Sequence, residues 1–422
     1  METSDFDFEN LFSLFESTIA THINKKDFNE LLVAYSGGID STALLYFTQK
    51  LSKKIKINLK AIHVNHNLSK HSKEWEKHCK EFCINQNIHL DIKDIKIILK
   101  KNESIEERAR QERYKAIYSA MNKKTLMLTA HHAEDQAETL LYQLFRGAGV
   151  AGLSAMPLIK EIPGGYHVRP FLNINKSTLL DIVNFIELKY INDPSNTDTK
   201  FSRNYIRKNI IPVIKEKWPS CSSTITRASF NLANTKKLSE DLAEIDMQKY
   251  ACKDLNKIKK NIKDLQDYRL NNILRYWIKK NGYRMPSTEQ IKSICLNILN
   301  AGDDKNPFFN CKDFEIRRYD NYLEIMKPLK KHNPSEIYKW KFNENLIIPN
   351  LNINLSWKDL ENKCGRSINN DVEVKFRKSG QNIMFSPKKS LKEYMRERKI
   401  SPWNRERTLL IYINQNLEIV WD

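Results

Sequence analysis

The clearest chemistry in this sequence belongs to one short run of residues, Ser36-Gly37-Gly38-Ile39-Asp40-Ser41. Its two glycines allow the backbone to turn sharply and to bring N–H groups close to phosphate oxygens. The hydroxyls of Ser36 and Ser41 can donate further hydrogen bonds. Asp40 can hold a Mg²⁺ ion that neutralises the phosphates. The run is therefore predicted to bind a phosphate chain, and the alternative is an ordinary glycine turn with a helix cap.

The position of this run between a strand and a helix strengthens the prediction. Leu31–Tyr35 is an apolar segment typical of a buried strand, and a helical pattern over Ser41–Leu51 follows it. Such a helix points the positive end of its dipole at the same anion. No Gly-x-x-x-x-Gly-Lys occurs in the chain, so the loop is not of the Walker type that supports cleavage at the γ-phosphate.

A second cluster of polar residues follows another predicted strand, Thr125–Ala130. His131 and His132 come next, and then a helical pattern in which Asp135 and Glu138, three residues apart, share one face. Open α/β sheets build their sites at the carboxyl ends of parallel strands. The cluster is therefore predicted to bind Mg²⁺ or a cationic substrate. Acidic residues in a first turn can also simply complement the helix dipole.

The first 215 residues alternate strands with helices, which predicts an α/β domain with a parallel sheet covered on both faces. The predicted strands are Leu31–Tyr35, Ile57–Val64, Ile88–Ile92 and Thr125–Ala130, and the predicted helices are Ser41–Leu51, Lys73–Gln86, Ser104–Met121 and Ala133–Phe145. This domain must position both polar clusters at one edge of its sheet.

The rest of the chain divides into three predicted segments. Residues 216–330 have a mostly helical pattern, residues 331–370 a connector pattern, and residues 371–422 a small α+β pattern. Core positions predicted between residues 220 and 300 are Leu232, Leu238, Leu242, Ile245, Leu265, Leu270, Ile273, Leu274 and Trp277. Short strands are predicted at Phe314–Arg318 and Leu323–Met326, and in the last segment a strand, a helix and two further strands at Val372–Arg377, Ser390–Lys399, Leu409–Ile413 and Glu418–Trp421.

Composition limits the classes of function. The 422 residues carry a net charge of +19 with a pI of about 9.4, which favours a polyanionic partner such as nucleic acid, although a general bias toward lysine is the alternative. Hydrophobic residues make up 41%, without a run long enough to span a membrane. Seven cysteines without a Cys-x-x-Cys pair and an acidic N-terminus predict a cytoplasmic location.

Several motifs in order resemble the tRNA(Ile)-lysidine synthetase family, within the N-type ATP pyrophosphatases or PP-loop enzymes. The resemblance is dense over residues 30–215, faint over 220–330 and clear again from 372 onward. It rests on Ser36–Ser41, the run HHAEDQAETLLYQLFRGAGVAGLSAM from His131, His63-Val-Asn-His66, Ile105–Tyr114, Arg169-Pro170, Asp193–Asn196, Arg203-Asn204, Arg207 and the tail KKSLKEYMRERKISPWNRERTLLIY.

The resemblance implies a Rossmann-like parallel sheet with a PP-loop, then a mostly helical domain and a small α+β C-terminal domain. It implies ligation of free L-lysine to C2 of the wobble cytidine in the CAU anticodon of tRNA(Ile), through an adenylated cytidine. ATP is split to AMP and pyrophosphate. The cytidine C2 carbonyl is a poor leaving group, so it needs this activation. The sequence leaves a homodimer open.

The resemblance also implies roles for individual residues. ATP would bind Ser36, Gly37, Gly38, Ile39, Asp40 and Ser41, with adenine beside His63. Mg²⁺ would bind Asp40 and Asp135, and the catalytic set would be Asp40, Asp135, Glu138, Arg110 and Arg113. The tRNA would contact Arg203, Arg207, Trp403 and Arg405, although the aromatic and basic residues of the tail are also compatible with an ordinary small-domain core.

Two positions depart from the family pattern, and two rival functions remain. Glu134 precedes Asp135 where the family has two aspartates, and Gly380-Gln381 stands where Gly-Glu is usual. The first rival is a PP-loop tRNA thiolase, which would need cysteines to carry sulfur or an iron–sulfur cluster. The second is a catalytically idle RNA-binding protein. The carboxylates at Asp40, Asp135 and Glu138 argue against it, because RNA binding alone does not require them.

Overall fold

Two packing units make up the chain, Met1–Leu238 and Ser239–Asp422. The computed structural model describes residues 8–23, 28–66, 71–98, 105–191, 202–302, 305–378, 383–386 and 389–421. The motif at residues 193–196 and the Gly380-Gln381 departure lie outside these residues. Within the described ranges, no helix has the length and apolar character needed to cross a membrane.

The first unit is built around a parallel sheet. Its strands are β1 (Glu30–Ala34), β2 (Asn58–Asn65), β3 (His89–Asp94), β4 (Thr125–Leu128), β5 (Ile159–Ile162) and β6 (Gly165–Val168). Among the described residues their order is β3-β2-β1-β4-β6-β5, and only the β5–β6 pair is antiparallel. The chain passes to opposite sides of β1, so a crevice opens at the carboxyl ends of β1 and β4, where such sheets bind ligands.

Helices cover both faces of this sheet. The helices that begin in this unit are α1 (Phe8–Ile23), α2 (Ile39–Ile55), α3 (Ser72–Asn85), α4 (Ile105–Tyr118), α5 (Ala133–Phe145), α6 (Val150–Leu153), α7 (Lys176–Phe185), α8 (Ser202–Tyr205), α9 (Ile211–Lys217) and α10 (Cys221–Tyr250), of which α10 continues into the second unit. Side chains of β1 alternate between the two faces: Leu31 and Val33 pack into the cluster that contains Phe47, whereas Leu32 packs with Met127. Burial on both faces explains why β1 is a continuous apolar run.

The predicted α/β organisation of this part is confirmed. Each of the four predicted strands and four predicted helices is present, and their ends differ by a few residues. The antiparallel pair β5 and β6 was not predicted, because these four-residue strands lack the continuous apolar pattern of β4 and cannot be separated from a loop.

The second unit begins with helices packed on an antiparallel sheet. Its elements up to residue 326 are β7 (Lys257–Lys259), α11 (Asp267–Lys280), α12 (Thr288–Ile294), β8 (Phe308–Asn310), β9 (Glu315–Tyr319) and β10 (Tyr322–Met326). Among the described residues the strand order is β7-β10-β9-β8. Trp277 of α11 is fully buried in this core, as predicted, and the two predicted strands are β9 and β10.

Two predicted core positions on α10 are wrong. Leu238 and Ile245 are 69% and 60% exposed. The helix buries Ala243, Met247 and Tyr250, which are three or four residues apart and therefore share a face. Leu238 and Ile245 are seven residues apart on a different face, so their apolar character did not indicate burial.

The end of the chain forms a second antiparallel sheet with its own core. Its elements are β11 (Ile337–Trp340), β12 (Leu346–Ile348), β13 (Ile353–Leu355), α13 (Trp357–Cys364), β14 (Val372–Phe376), β15 (Met384–Ser386), β16 (Lys389–Ser390), α14 (Leu391–Glu397), α15 (Pro402–Arg405), β17 (Leu409–Ile413) and β18 (Asn416–Trp421). In the described residues the main sheet has the order β11-β14-β17-β18. The segment 331–370, predicted as a connector, thus supplies a strand and the buried Trp340 and Trp357 to this sheet.

Candidate active site

The glycine run forms a tight loop between β1 and α2. The Ser41 hydroxyl donates to the Gly38 carbonyl oxygen at 3.0 Å and lies 3.1 Å from the Ser36 hydroxyl. The Ser36 amide donates to the Ser41 hydroxyl oxygen at 3.2 Å. Helix α2 begins at Ile39 without a side-chain cap on its first turn. Its first N–H groups are therefore available to an anion at the carboxyl end of β1.

Gly37 holds the loop in a conformation that requires glycine. Its φ of +82° lies in the left-handed region, and its carbonyl oxygen accepts a hydrogen bond from the Ile191 amide at 2.8 Å. A Cβ at this position would lie 2.6 Å from Ile191 Cδ1 and 3.0 Å from Cys79 Sγ. The backbone conformation therefore disfavours any side chain here, and a Cβ would also displace the ends of the Ile191 and Cys79 side chains.

We expect Gly37→Ala to raise the KM for ATP about tenfold and to lower the free energy of unfolding by about 1–2 kcal/mol. Gly147→Ala is the matched control, because Gly147 has a φ of +68° and open space around its Cβ position. Steady-state kinetics and urea unfolding measure the two effects. An unchanged KM in Gly37→Ala would contradict the loop's role in ATP binding.

His63 directly follows Ile62, which pairs with Ala34 at the end of β1. His63 Nδ1 lies 3.0 Å from the Tyr35 carbonyl oxygen, which can only accept, so Nδ1 carries the proton. Burial lowers the pKa of His63, and the ring is neutral. Its Nε2 is therefore an acceptor beside the phosphate loop, suited to the exocyclic amine of adenine.

The second cluster lies where β4 meets α5, with His132 at its centre. His132 Nδ1 is 3.1 Å from Glu134 Oε2, and Nε2 is 3.4 Å from Asp135 Oδ2 and 3.8 Å from Asp40 Oδ2. Burial lowers the pKa of His132, but Asp135, Glu134 and Asp40 outweigh burial, and the net pKa is raised. The imidazole thus connects the phosphate loop to the acidic helix.

Arg207 neutralises two of these carboxylates. It lies in a π-helical turn, Ile206–Ile210, and its Nε donates to Glu138 Oε1 at 2.5 Å. Its Nη2 donates to Glu138 Oε2 at 2.9 Å and to Asp135 Oδ1 at 3.1 Å. Glu138 is only 2% exposed, and burial raises its pKa even though Arg207 acts in the opposite direction. Arg203 lies nearby, with Nη2 3.4 Å from Thr139 Oγ1.

The Asp40 carboxylate fits a cation. Its Oδ1 is buried and has no hydrogen-bond partner among the described residues, and burial raises its pKa. The described part of the chain contains no cluster of three or more potential metal ligands. Mg²⁺ commonly binds one or two carboxylates and takes its other ligands from phosphates and water. Asp40 and Asp135 could therefore hold Mg²⁺ together with ATP.

Glu134 stands where the family has aspartate, and its carboxylate contacts groups outside the cluster of Asp40, Asp135 and Glu138. Its Oε2 accepts from the Lys176 amide at 2.9 Å, and its Oε1 lies 3.3 Å from Lys215 Nζ. Burial raises the pKa of Glu134, but His132 and the Lys176 amide outweigh it and lower the pKa to about 2. The longer side chain is thus held away from Asp40 by these contacts, on the other side of the imidazole.

Sequence reasoning did not identify a buried relay at the ends of β4 and β6. Arg169 Nη2 donates to His167 Nδ1 at 3.0 Å, so the His167 proton is on Nε2. His167 Nε2 and His131 Nδ1 each lie 2.7 Å from the Thr129 hydroxyl. His167 therefore donates to Thr129, Thr129 donates to His131, and His131 keeps its proton on Nε2. One sign of this relay is present in the sequence, because His131 follows the predicted strand Thr125–Ala130. Arg169 directly follows β6, which was not predicted.

Two arginines of α4 surround this relay with positive charge. The guanidinium groups of Arg110 and Arg113 each lie 5.6 Å from the Tyr114 ring centre. Burial, together with the charges of Arg169, Arg110 and Arg113, lowers the pKa of His131 far below its ordinary value. His131 is thus a neutral N–H donor beside cations, an environment that attracts phosphate.

We expect His167 to make the protein less stable in acid. Burial and the Arg169 charge lower the pKa of His167 from 6.5 to about 2. The unfolded chain binds this proton near pH 6.5 and the folded chain does not, so stability falls as the pH drops from about 6.5 toward 2. The slope is about 1.4 kcal/mol per pH unit.

Urea unfolding between pH 7 and pH 4 tests this expectation. His167→Gln should reduce the slope by about one proton. His89→Gln, at a largely exposed histidine on β3, should leave it unchanged. A His167→Gln slope equal to that of the wild type would show that His167 titrates normally.

The structure brings the predicted site residues of the first unit to one edge of its sheet, whereas Trp403 and Arg405 lie in the second unit. Trp403 is 7% exposed, with its ring 6.2 Å from that of Tyr319. Arg405 donates to the Ile400 carbonyl and to the Tyr319 hydroxyl, each at 2.8 Å. Both side chains therefore contact other residues of the second unit.

Known proteins match most of the length of the chain. The family models described as PP-loop domain, TilS substrate binding domain and TilS substrate C-terminal domain match residues 12–214, 260–324 and 372–422. The tRNA(Ile)-lysidine synthase of Legionella pneumophila (strain Lens) is 36% identical over 403 residues, covering 94% of this chain and 91% of the relative. That of Coxiella burnetii (strain RSA 493 / Nine Mile phase I) is 35% identical over 393 residues, covering 91% and 87%. That of Nitrosomonas europaea is 31% identical over 403 residues, covering 93% and 87%. Identity at this level over nearly the full length of each relative shows that this chain belongs to the tRNA(Ile)-lysidine synthase family.

Proposed function

We propose that this protein joins free L-lysine to C2 of the wobble cytidine in tRNA(Ile) with the CAU anticodon. ATP is split to AMP and pyrophosphate, and lysidine is formed. The observation that carries the proposal is the juxtaposition of an uncapped helix end after β1 with the group formed by Asp40, His132 and Asp135. One crevice can thus hold the ATP that activates the cytidine and the lysine amine that attacks it, which makes each step effectively intramolecular.

In the first step the cytidine O2 attacks the α-phosphorus of ATP, and pyrophosphate leaves. The loop amides and the N-terminus of α2 hold the phosphates, and Arg110 and Arg113 stabilise the charge that develops on them. Mg²⁺ bound at Asp40 and Asp135 would offset phosphate charge. The His63 Nε2 acceptor orients adenine.

In the second step the ε-amine of lysine attacks C2, and AMP leaves with the former O2. The amine must lose a proton to become nucleophilic, and a carboxylate of Asp135 or Glu138 can take it. Arg207 supplies the positive charge that faces both carboxylates, 3.1 Å from Asp135 Oδ1 and 2.5 Å from Glu138 Oε1. In this proposal Arg203, from the same segment, contacts the anticodon.

The reconstituted reaction tests this function. The protein is mixed with ATP, lysine and the CAU tRNA(Ile), and AMP and the mass of the modified cytidine are measured. A gain of one lysine residue on a single cytidine supports the proposal, whereas RNA binding without AMP indicates an idle RNA-binding protein. A mass change equal to one sulfur in place of one oxygen would indicate a thiolase. We do not expect this result, because burial raises the pKa of both Cys79 and Cys83 to about 12 and keeps these thiols protonated.

We propose that the second unit binds tRNA through exposed cations rather than through the buried Trp403. Lys392 and Arg396 are exposed, four residues apart, on α14. Reversing both charges to glutamate is expected to weaken tRNA binding about 10–100-fold and to reduce its salt dependence, because two phosphate contacts are lost. Filter binding at several salt concentrations measures this effect.

The matched control reverses Lys123 and Lys124, which precede β4 and therefore lie at the amino end of the sheet, away from the crevice. This control should retain the tRNA affinity and salt slope of the wild type. The KM for ATP should be unchanged in both double variants. Equal tRNA affinities for the two double variants would exclude α14 from the tRNA surface.

A further inference from the structure

The hydrogen-bonded relay between β4 and β6 has inner members to which the reaction described above assigns no task. These members are Thr129, His167 and Arg169, which are 1–6% exposed, whereas His131 at the outer end is partly exposed. Thr129 directly follows β4, and His167 lies in β6, which pairs with β4. The relay therefore connects two buried strand ends to a side chain that a ligand in the crevice can reach.

Arg169 fixes the direction of every hydrogen bond in the relay. A guanidinium group has donors and no acceptor, so His167 Nδ1 accepts from Arg169 Nη2 at 3.0 Å and His167 is protonated on Nε2. The Thr129 hydroxyl accepts from this Nε2 and donates to His131 Nδ1, each at 2.7 Å. His131 thus carries its proton on Nε2, the ring nitrogen that does not face Thr129.

This order of donors is the reverse of that in a catalytic triad. In a triad a carboxylate accepts from the inner nitrogen of an imidazole, and the outer nitrogen acts as a base. Here a guanidinium takes the place of the carboxylate, and the outer nitrogen carries a proton. Burial and the nearby arginines hold the pKa of His131 far below its ordinary value, so the ring does not gain a second proton near neutral pH. The relay therefore presents a neutral N–H donor.

The surroundings of His131 match this kind of donor. His131 directly precedes His132, whose Nε2 lies 3.8 Å from Asp40 Oδ2 in the first turn of α2. The charges of Arg110 and Arg113 act on the His131 ring from α4. His131 therefore adjoins both the start of the helix that follows the phosphate loop and the two cations that the proposed first step uses.

We propose that Arg169, His167 and Thr129 are positioning residues that fix His131 as an N–H donor to the phosphate charge developing during adenylation. The inference rests on the proposed function and adds these residues to its first step. A donor that is already oriented requires no reorganisation when the charge forms, and it stabilises the transition state accordingly. The lysine step, in which carboxylates take up a proton, does not depend on the relay.

NMR of the free protein measures the protonation of His131 directly. Imidazole nitrogen shifts in protein labelled with ¹⁵N at histidine distinguish a proton on Nε2 from one on Nδ1, and the His131 signals are assigned by their loss in His131→Gln. We expect the wild type to carry the proton on Nε2. Thr129→Val removes the hydroxyl and should give a mixture of the two tautomers. A wild-type proton on Nδ1, or an unchanged tautomer in Thr129→Val, would overturn the proposal.

Single-turnover kinetics separate the two steps of the reaction. Pyrophosphate release with ATP and tRNA alone gives the rate of adenylation, and lysine added afterwards gives the rate of the second step. Thr129→Val and His167→Leu break the relay. Thr129→Ser restores the hydroxyl, and His167→Gln keeps the order of donors, because its carbonyl oxygen can accept from Arg169 while its amide donates to Thr129. Thr48→Val is the matched control, because the buried Thr48 hydroxyl donates to the Leu44 carbonyl oxygen within α2.

We expect Thr129→Val and His167→Leu to slow adenylation about 10–100-fold, and Thr129→Ser and His167→Gln to stay within about threefold of the wild type. The lysine step should be unchanged in all four variants, and Thr48→Val should retain both rates. Thermal unfolding shows which variants are folded at the assay temperature. The NMR measurement on the wild type tests the relay even where a variant does not fold.

Three kinetic outcomes would overturn the proposal. The first is a wild-type adenylation rate in folded Thr129→Val and His167→Leu. The second is an equal loss in both steps, which would mean that the relay only holds β4 and β6 together. The third is a failure of Thr129→Ser and His167→Gln to recover the rate. Absence of pyrophosphate in the wild type, with its His131 proton on Nε2, would instead overturn the proposed function.

Discussion

Asp40→Asn is expected to lower tRNA-dependent AMP formation by at least about 100-fold and to leave tRNA binding unchanged. The substitution keeps the shape of the side chain but removes the charge that would hold Mg²⁺ beside the phosphates. Asp40 Oδ1 is buried without a partner among the described residues, so the wild-type carboxylate is poorly satisfied in the absence of a cation. Rates of AMP release and tRNA affinities measure the two effects.

The same substitution should not destabilise the protein. Burial already raises the pKa of Asp40, so the folded protein disfavours its charged form, and the neutral amide removes that cost. The free energy of unfolding should stay the same or rise by up to about 1 kcal/mol. Asp181→Asn, at an exposed position on α7, should change neither activity nor stability. Wild-type AMP formation by Asp40→Asn would remove Asp40 from the mechanism.

The phosphate loop could be predicted from the sequence because its determinants are local. Gly37 and Gly38 follow an apolar strand and precede a helix, and the structure places all these features within about ten consecutive residues. His63 could be placed from a resemblance, but its protonation depends on the Tyr35 carbonyl, which is 28 residues away in the chain. Only the folded sheet brings these two groups together.

The charge pairing in the site could not be predicted, because its partners are far apart in the sequence. Arg207 contacts Glu138 across 69 residues, and Lys215 contacts Glu134 across 81. Periodicity indicates which residues share a helix face, but not which helix faces another. The resemblance implies that Arg207 contacts the tRNA, and the structure adds that its guanidinium lies between the Asp135 and Glu138 carboxylates.

Trp403 illustrates a different limit. An aromatic residue among arginines is compatible both with base stacking and with packing inside a small domain. Burial against Tyr319 distinguishes the two, and that contact joins residues 84 positions apart that no local pattern relates. Exposed Leu238 and buried Trp277 show that apolar character alone does not identify the core.

Arg207→Met is expected to reduce lysidine formation by at least about 100-fold and the free energy of unfolding by about 2 kcal/mol, because Glu138 and Asp135 lose their shared counter-charge. The cost should be smaller than for a fully buried pair, since the Arg207 side chain is 36% exposed. Combining it with Glu138→Gln removes the unpaired buried charge, so the double variant should recover most of the stability but none of the activity. Urea unfolding and lysidine assays compare the three proteins. Recovery of activity together with stability would mean that Arg207 and Glu138 only support the fold, and that neither acts on lysine.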